Sequence, residues 1–178
     1  MEQGSDAVEY IMSLIPQGST ASYGGSTTLQ QIGFLTALKS RSGDVRCFRD
    51  DAEQTGGDTK KYMALMRQGA AADFYISSCS AITEAGALYA VDASSTRVAG
   101  WLSADKLIVV AGTNKLVKDD DEALERTRKY QFPLESARCR VAYKGALGSS
   151  VNNEICIRRA FPDMPRVTVV LIEKALGF

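Results

Sequence analysis

Residues 106–111, with the sequence KLIVVA, limit the fold of this chain more than any other stretch. A nearly continuous apolar strand has no polar face to show to water, which is typical of a central parallel strand covered on both faces. Shorter apolar runs at 73–78 and 167–172 alternate along the chain with helix-like patterns. We therefore expect an α/β layered fold, with a mostly parallel sheet flanked by helices and right-handed crossovers.

The remaining patterns predict the other elements of this fold. Apolar residues at helical spacing predict helices over residues 5–14, 27–39, 58–71, 97–102, 119–130 and 132–143. Further short strands are predicted at 19–23, 44–48 and 87–91. Small and polar residues predict loops at 49–58, 79–86 and 145–153.

The size and charge of the chain limit its partners. Its 178 residues suffice for one domain with a substantial core but are few for two. The 21 basic and 21 acidic side chains balance, so nothing points to a nucleic acid or an anionic membrane. No apolar run could cross a bilayer, and the first residues lack the pattern of a leader. We expect a cytoplasmic protein.

Two absences restrict the chemistry. The chain has no histidine, which excludes a Ser-His-Asp or Cys-His relay and any His-ligated metal. Cys47, Cys79, Cys139 and Cys156 stand singly, without a CxxC pair, which argues against a zinc site or a redox pair. A reducing compartment argues against structural disulfides. We therefore expect no metal and no cofactor, and chemistry based on carboxylate, lysine, hydroxyl, thiol or backbone groups.

Residues 19–38, STASYGGSTTLQQIGFLTAL, join a strand to an amphipathic helix through a turn at Gly24 and Gly25. Two glycines let the backbone turn tightly and bring its N–H groups close to a ligand. The hydroxyls of Ser26, Thr27 and Thr28 stand where the helix begins, beside unpaired N–H groups and the positive end of the dipole. The stretch is a candidate cradle for an anion.

The same stretch also fits a plain helix start. Thr27 with Gln30, or Thr28 with Gln31, has the spacing of a capping box. Neither GxxxxGK[ST] nor GxGxxG is present. Spacing alone therefore favours an ordinary turn and N-cap over a ligand site.

Three polar loops follow predicted strands, at residues 24–28, 82–86 and 112–115. Ligands of open α/β sheets bind beyond the carboxyl ends of the strands, so the three loops meet at one edge if their strands are parallel neighbours. In the second loop, Glu84 stands among small residues and could act as a general base or an acyl-forming nucleophile. The alternative is that Glu84 caps a turn or pairs with Arg97.

The third loop contains Asn114 and Lys115. Lys115 could neutralise an anionic substrate, but an exposed lysine is slightly favoured. Arg97 could join the anion site or brace Asp92. A buried structural thiol is the favoured hypothesis for Cys79 over a reactive one.

Four segments carry a resemblance to a known family: IPQGSTASYGGSTTLQQIG, DFYISSCSAITEAGALYAVDASSTRVAG, KLIVVAGTNKLVKDDDEALERTR and VTVVLIEKALGF. In this order they resemble the LUD-domain family, once called domain of unknown function 162, whose best-known members are lactate-utilisation protein C and relatives. The resemblance implies a single LUD domain over residues 1–178, with residues 1–15 forming a shortened N-terminal helix. It implies the NagB/RpiA/CoA-transferase-like fold of ribose-5-phosphate isomerase, glucosamine-6-phosphate deaminase, CoA transferases and 5-formyltetrahydrofolate cyclo-ligase.

The resemblance also implies roles for the loops. The first loop would hold a phosphate or carboxylate, and Glu84 and Lys115 are the nearest candidates for catalytic groups. The residues expected to bind the ligand are Gly24, Gly25, Ser26, Thr27, Thr28, Thr83, Arg97 and Asn114. Longer relatives look rich in cysteine between the equivalents of residues 137 and 157, whereas only Cys139 and Cys156 stand there in this chain. Two such distant thiols are more simply packing residues.

Two functions follow from these observations. The first is binding of a small anionic metabolite, phosphorylated, carboxylated or CoA- or folate-like, in a role accessory to the metabolism of lactate or related organic acids. Redox proteins are then the expected partners, and a homodimer is an open alternative. The second is an isomerase-, transferase- or cyclo-ligase-like enzyme that uses Glu84 and Lys115. The binding function is slightly favoured.

Overall fold

The computed structural model describes residues 1–142, 144, 151–159 and 163–178. Its strands are β1 (Thr20–Tyr23), β2 (Arg46–Cys47), β3 (Phe74–Ser77), β4 (Ala81–Thr83), β5 (Leu88–Asp92), β6 (Lys106–Gly112), β7 (Leu116–Val117), β8 (Asn153–Ile157) and β9 (Val167–Ile172). Its α-helices are α1 (Gly4–Ser13), α2 (Thr27–Gln31), α3 (Phe34–Lys39), α4 (Phe48–Glu53), α5 (Thr59–Ala70), α6 (Thr96–Ser103), α7 (Asp120–Arg126) and α8 (Phe132–Ala142). A 3₁₀ turn follows β6 at Thr113–Lys115, and a π-helical turn, Thr127–Gln131, joins α7 to α8.

The main sheet has the strand order β2-β1-β3-β6-β9, and every neighbouring pair in it is parallel. Strand β6 lies inside this sheet, and its side chains alternate between two apolar clusters. Ile108 and Val110 pack with α1, α2 and α3, whereas Leu107 and Val109 pack with Trp101 of α6 on the other face. The expected α/β architecture, with a mostly parallel sheet flanked by helices, is confirmed.

A second sheet, in the order β7-β4-β5-β8, mixes parallel and antiparallel pairs. The sequence prediction of a loop over residues 79–86 is wrong, because Ala81–Thr83 forms β4. Three residues are too short to show a strand pattern of their own, and β4 is buried by its pairing with β5 and β7. Of the loop predicted at 145–153, residues 145–150 lie outside the described part, and Asn153 begins β8.

Two predictions in the first third of the chain are also wrong. The helix expected over 27–39 is two short helices, because Gly33 between them takes a left-handed conformation with φ of 81°. The loop expected at 49–58 contains α4, which Arg49 and Glu53 stabilise by an i,i+4 ion pair. The strand expected over 44–48 is reduced to Arg46–Cys47.

The other predicted elements lie within a few residues of the observed ones. Helices α1, α5, α6 and α8 are confirmed, as are β1, β3, β5, β6 and β9. The helix predicted over 119–130 begins at α7, with the Asp119 side chain accepting the N–H of Glu122, and its last turn is π-helical. Residue 143, expected in α8, lies outside the described part. Within the described ranges, no helix has both the length and the apolar character needed to span a membrane.

Candidate functional site

A cavity of about 490 Å³ lies beyond the carboxyl ends of the parallel strands. Residues 24–28 follow β1, Ser78 and Cys79 follow β3, and Lys115 follows β6, and all of them line the cavity. These three strands are neighbours in the main sheet. The cavity therefore occupies the place where ligands of parallel α/β sheets bind.

The first loop leaves β1 as an extension of the sheet. The N–H of Gly24 donates to the carbonyl of Ile76 at 3.1 Å, which continues the β1–β3 pairing by one residue. Ser26 then caps α2, with its Oγ accepting the N–H of Leu29 at 3.2 Å. The predicted capping boxes of Thr27 with Gln30 and of Thr28 with Gln31 are therefore wrong. The hydroxyls of Thr27 and Thr28 are not used as caps, and both residues line the cavity.

The two glycines of this loop, Gly24 and Gly25, differ in the space that a side chain would have. Neither Gly24 nor Gly25 has a positive φ, so neither is required by a left-handed turn. A Cβ at Gly24 would lie 3.1 Å from Nε of Arg97 and 3.4 Å from Oγ of Ser77, whereas a Cβ at Gly25 would meet nothing within 4 Å. Gly24 is needed because the Arg97 side chain passes close to the backbone.

Arg97, in the first turn of α6, joins the first loop to the end of β5. Its guanidinium donates to the carbonyl of Val91 at 2.5 Å and to the carbonyl of Gly25. Its buried Nε has no partner. Arg97 does not brace Asp92, because that carboxylate accepts the N–H groups of Ser95 and Val98 instead. Arg97 lines the cavity with a donor still available.

Lys115 is buried, with only 2% of its surface exposed, so the prediction of an exposed lysine is wrong. Its Nζ donates to Oγ of Ser78 at 2.8 Å, to the carbonyl of Cys79 at 3.0 Å and to Oγ1 of Thr28 at 3.2 Å. These three acceptors match the three N–H groups of an ammonium. Lys115 is the last residue of the short 3₁₀ turn after β6, and its side chain reaches the residues that follow β1 and β3.

The charge on Lys115 has no carboxylate partner. No ion pair in the described part of the chain includes this residue. Burial lowers the pKa of Lys115 from its ordinary value to about 8, and the positive charges of Arg126 and Arg97 lower it further, against an opposing effect of the Cys79 thiol. At neutral pH a protonated amine is therefore held beside the cavity without compensation.

The segment from Leu176 to Phe178 closes one side of the site. The carbonyl of Leu176 accepts Oγ1–H of Thr28 at 3.3 Å, and the N–H of Leu176 donates to Oδ1 of Asn114 at 3.0 Å. The N–H of Gly177 donates to Oε1 of Gln31 at 2.7 Å. Asn114 thus holds this segment in place and does not itself line the cavity, whereas Gly177 and Phe178 do.

A further wall comes from the helical rod of α7, the π turn and α8, which sequence reasoning did not assign to the site. Gln131, Glu135, Arg138 and Cys139 line the cavity from one face of this rod. These residues are spaced by four, three and one positions, which places them on one face of a helix. This spacing is the only sign in the sequence that they line a common wall. Glu135 is occupied by an ion pair with Arg138 at 2.6 Å. The wall holds four basic side chains and two acidic ones, so positive charge is in excess: Arg49, Arg97, Lys115 and Arg138 against Asp92 and Glu135.

Thr83 and Glu84 do not reach this cavity. Thr83 is buried with its Oγ1 accepting the N–H of Ala87 at 3.0 Å, and Glu84 is exposed at the turn between β4 and β5. Their strand belongs to the second sheet and pairs antiparallel with the next one, so residues 82–86 do not end at the edge where residues 24–28 and 112–115 meet. The roles assigned to Thr83 and Glu84 stay predictions.

None of the four cysteines, all of which the structure describes, is in a disulfide bond. Cys47, Cys79 and Cys139 are buried, and Cys156 is partly exposed. Burial raises the pKa of the Cys79 thiol, despite the opposing charges of Lys115 and Arg126. A raised pKa keeps the thiol protonated, as expected for the structural role favoured from the sequence.

Comparison with known proteins gives one family match. A family model described as LUD domain matches residues 1–172. The chain is similar to the solved structure of ribose 5 phosphate isomerase A from Neisseria gonorrhoeae, with 13% identity, a TM-score of 0.42, and 91% of this chain and 78% of that chain covered. It is also similar to eIF2B beta from Chaetomium thermophilum, with 16% identity, a TM-score of 0.39 and 67% of this chain covered, but it spans only 43% of that chain. At these values neither structure indicates a function for this chain. None of the curated proteins matches it.

Proposed function

This chain belongs to the LUD-domain family and is thereby related to lactate-utilisation proteins, and we propose that it binds a small anionic metabolite in the cavity beside Lys115. The metabolite would be phosphorylated or carboxylated, with CoA- or folate-like compounds as larger members of the same class. A volume of about 490 Å³ is within the usual range for small-molecule sites.

One observation carries this proposal: Lys115 is buried and has no carboxylate partner among the residues that the structure describes. An unpaired buried charge is expensive, because the protein must remove it from water without an opposite charge to compensate. A bound anion would supply the missing compensation. The buried lysine and the cavity beside it are therefore best explained together.

The surrounding groups favour the same sign of charge. The Arg97 side chain lines the cavity, and within the described part of the chain its buried Nε is unpartnered. Thr28 and Ser78, whose hydroxyls accept from Lys115, line the cavity too. Helix α2 has only five residues, so its dipole adds little. The proposed preference for anions rests on the charged side chains.

We propose a role accessory to the metabolism of lactate or related organic acids, with redox proteins as partners. The sequence has no histidine, no CxxC pair and no dinucleotide fingerprint. A chain of this composition would depend on a partner for electron transfer.

The catalytic alternative uses Glu84 and Lys115 in an isomerase-, transferase- or cyclo-ligase-like reaction. All three N–H groups of a protonated Lys115 have acceptors, and Glu84 is not among the residues that line the cavity. These observations favour binding over catalysis. If turnover of a metabolite is found, its loss in Glu84→Ala would support the catalytic alternative, and full activity in that variant would remove Glu84 from it.

The binding proposal is tested by the thermal shift of the full chain with phosphate, sulfate, pyrophosphate and short carboxylates at constant ionic strength. A ligand that binds only the folded state raises the melting temperature by mass action. We expect a saturable rise in the native protein and its loss in Lys115→Met. Excluded salts such as sulfate also stabilise proteins without a site, but this effect remains in the variant and cancels in the comparison.

Matched variants keep the test decisive. Lys118 is an exposed lysine three residues further on, so Lys118→Met removes the same charge without touching the cavity and should keep the shift. Arg97→Gln removes a second cation of the wall and serves if Lys115→Met does not fold. An equal shift in the native protein, Lys115→Met and Arg97→Gln would contradict the proposal.

A further inference from the structure

We infer that the ligand carries, besides its anionic group, a hydrogen-bond donor of the O–H or N–H type, and that the side-chain amide of Gln131 binds this donor. This inference rests on the proposed function and narrows the class of ligand. The molecules that fit are hydroxylated or aminated acids and phosphates rather than simple anions.

Gln131 is a buried amide that has no partner for its oxygen. Only 6% of the residue is exposed, and Oε1 makes no hydrogen bond within the described ranges. The residue lines the cavity. Leaving such a group unsatisfied costs free energy, and nearly all buried polar groups in folded proteins have a partner. A partner supplied by a ligand explains why the amide is kept there.

The local backbone explains how Gln131 reaches the cavity. It is the last residue of the π-helical turn Thr127–Gln131. Such turns are rare in α-helices, and many of those known lie at functional sites. The following cavity residues on the same rod, Glu135, Arg138 and Cys139, lie four, seven and eight positions after it. Gln131 therefore begins the helix face that forms this wall.

A second unpartnered atom defines what the ligand must offer. Nε of Arg97 is a buried donor without an acceptor, and Arg97 also lines the cavity. The other buried polar side-chain atoms without partners among the described residues belong to residues outside the cavity wall: Ser22, Ser80, Trp101 and Ser136. Among the buried side-chain atoms of the described cavity wall, one donor and one acceptor are therefore without partners.

In the orientation that the Gln131 amide has in this structure, a simple anion can satisfy only one of these two atoms. Its oxygens accept hydrogen bonds, so they fit Nε of Arg97 and the charge of Lys115, but they would repel the carbonyl oxygen of Gln131. A hydroxyl or amine on the same ligand supplies the proton that Oε1 accepts. The two atoms together therefore select a ligand with an anionic group and a donor.

The test compares pairs of ligands that differ only in their hydroxyl groups, two in the first pair and one in the second. Calorimetric titration of the full chain with glycerol 3-phosphate and propyl phosphate, and with 2-hydroxybutanoate and butanoate, gives the ratio of affinities within each pair. A hydrogen bond to a buried amide predicts about tenfold tighter binding of the hydroxylated member. We expect Gln131→Met, which keeps the length of the side chain, to reduce this ratio to about twofold or less.

Two results would overturn the inference while the proposed function stands: equal binding within both pairs, or a preference that persists in Gln131→Met. If no anion of either pair binds to the native protein, the proposed function fails and the inference fails with it.

A measurement without ligand provides an independent check. If the amide has no internal partner, Gln131→Met should raise the melting temperature of the ligand-free protein, because it removes an unsatisfied buried polar group. Gln68→Met makes the same change at an exposed position of α5 and should leave the melting temperature nearly unchanged. A melting temperature several degrees lower in Gln131→Met would mean that the amide is satisfied within the fold, and would overturn the inference.

Discussion

Nζ of Lys115 lies 2.8 Å from Oγ of Ser78, and this contact ties the end of β6 to the end of β3 beneath the cavity. This hydrogen bond gives one N–H group of the Lys115 ammonium an acceptor, but it does not neutralise the positive charge. Lys115 therefore differs from an ordinary buried lysine, which is usually paired with a carboxylate. Its titration should be visible both in the stability of the protein and in its binding of anions.

The free energy of unfolding should rise with pH from about 8 to 10.5 because of Lys115. Its pKa is lowered from 10.5 to about 8 in the folded protein. Below pH 8 the folded and unfolded states both hold the proton, and the cost of the buried charge is fully present. Between the two pKa values the unfolded state binds more protons, so stability increases with pH.

Urea unfolding between pH 7 and 10.5 measures this contribution as a difference between the native protein and Lys115→Met. Other titrating groups affect both proteins and cancel. We expect the difference to shift in favour of the native protein as the pH rises, whereas Lys118→Met should follow the native curve throughout. A constant difference between the native protein and Lys115→Met would mean that Lys115 titrates normally.

The affinity for sulfate should fall as the pH rises above about 8. A bound anion stabilises the ammonium and raises the pKa of Lys115, so binding takes up a proton once the free protein has lost it. Linkage then lowers the association constant by up to about tenfold per pH unit. Sulfate is the appropriate probe because its own charge is constant in this range. Calorimetry in buffers of different ionisation enthalpy should detect the proton uptake, and Lys115→Met should show neither effect.

The main sheet could be predicted from the sequence because its strands carry their own signal. Strand β6 is apolar on both faces, and its neighbours β3 and β9 are long enough to show the same pattern. Strands β4 and β7 have three and two residues and are defined by their partners. No periodicity exists in so few residues, so these two strands of the second sheet could not be found from the sequence, whereas its longer strand β5 was predicted.

The site was predicted in part for a similar reason. Residues 24–28 and Lys115 follow strands with clear patterns, and the structure brings them together. The burial of Lys115 depends on acceptors from Thr28, Ser78 and Cys79, which are distant in the sequence. Glu84 was grouped with them because residues 79–86 were predicted to be a loop directly after the strand at 73–78. The short strand β4 intervenes, and its antiparallel pairing with β5 places Glu84 in the second sheet's turn instead.

Gly24→Ala should weaken sulfate binding, and Gly25→Ala should not. A Cβ at Gly24 would lie 3.1 Å from Nε of Arg97, whose guanidinium is held by the carbonyls of Gly25 and Val91 and cannot move away freely. A Cβ at Gly25 meets nothing within 4 Å, and its backbone is not left-handed. We expect a fall in affinity of about threefold to tenfold for Gly24→Ala, corresponding to roughly 1 kcal/mol. Equal losses in the two variants would show that the displacement of Arg97 is not the cause.

Gly177→Ala should lower the affinity for sulfate, whereas Gly18→Ala should affect stability alone. Gly177 has φ of 61° and Gly18 has φ of 84°, so each alanine costs about 1 kcal/mol in an unfavourable left-handed backbone. A Cβ at Gly18 meets nothing within 4 Å, but a Cβ at Gly177 would lie 2.5 Å from Oγ1 of Thr28. Because Thr28 also accepts a hydrogen bond from Nζ of Lys115, its displacement should disturb the lysine at the cavity. Urea unfolding and sulfate titration of both variants separate the two effects. Unchanged sulfate affinity in Gly177→Ala would mean that the segment at Leu176 and Gly177 does not support the site.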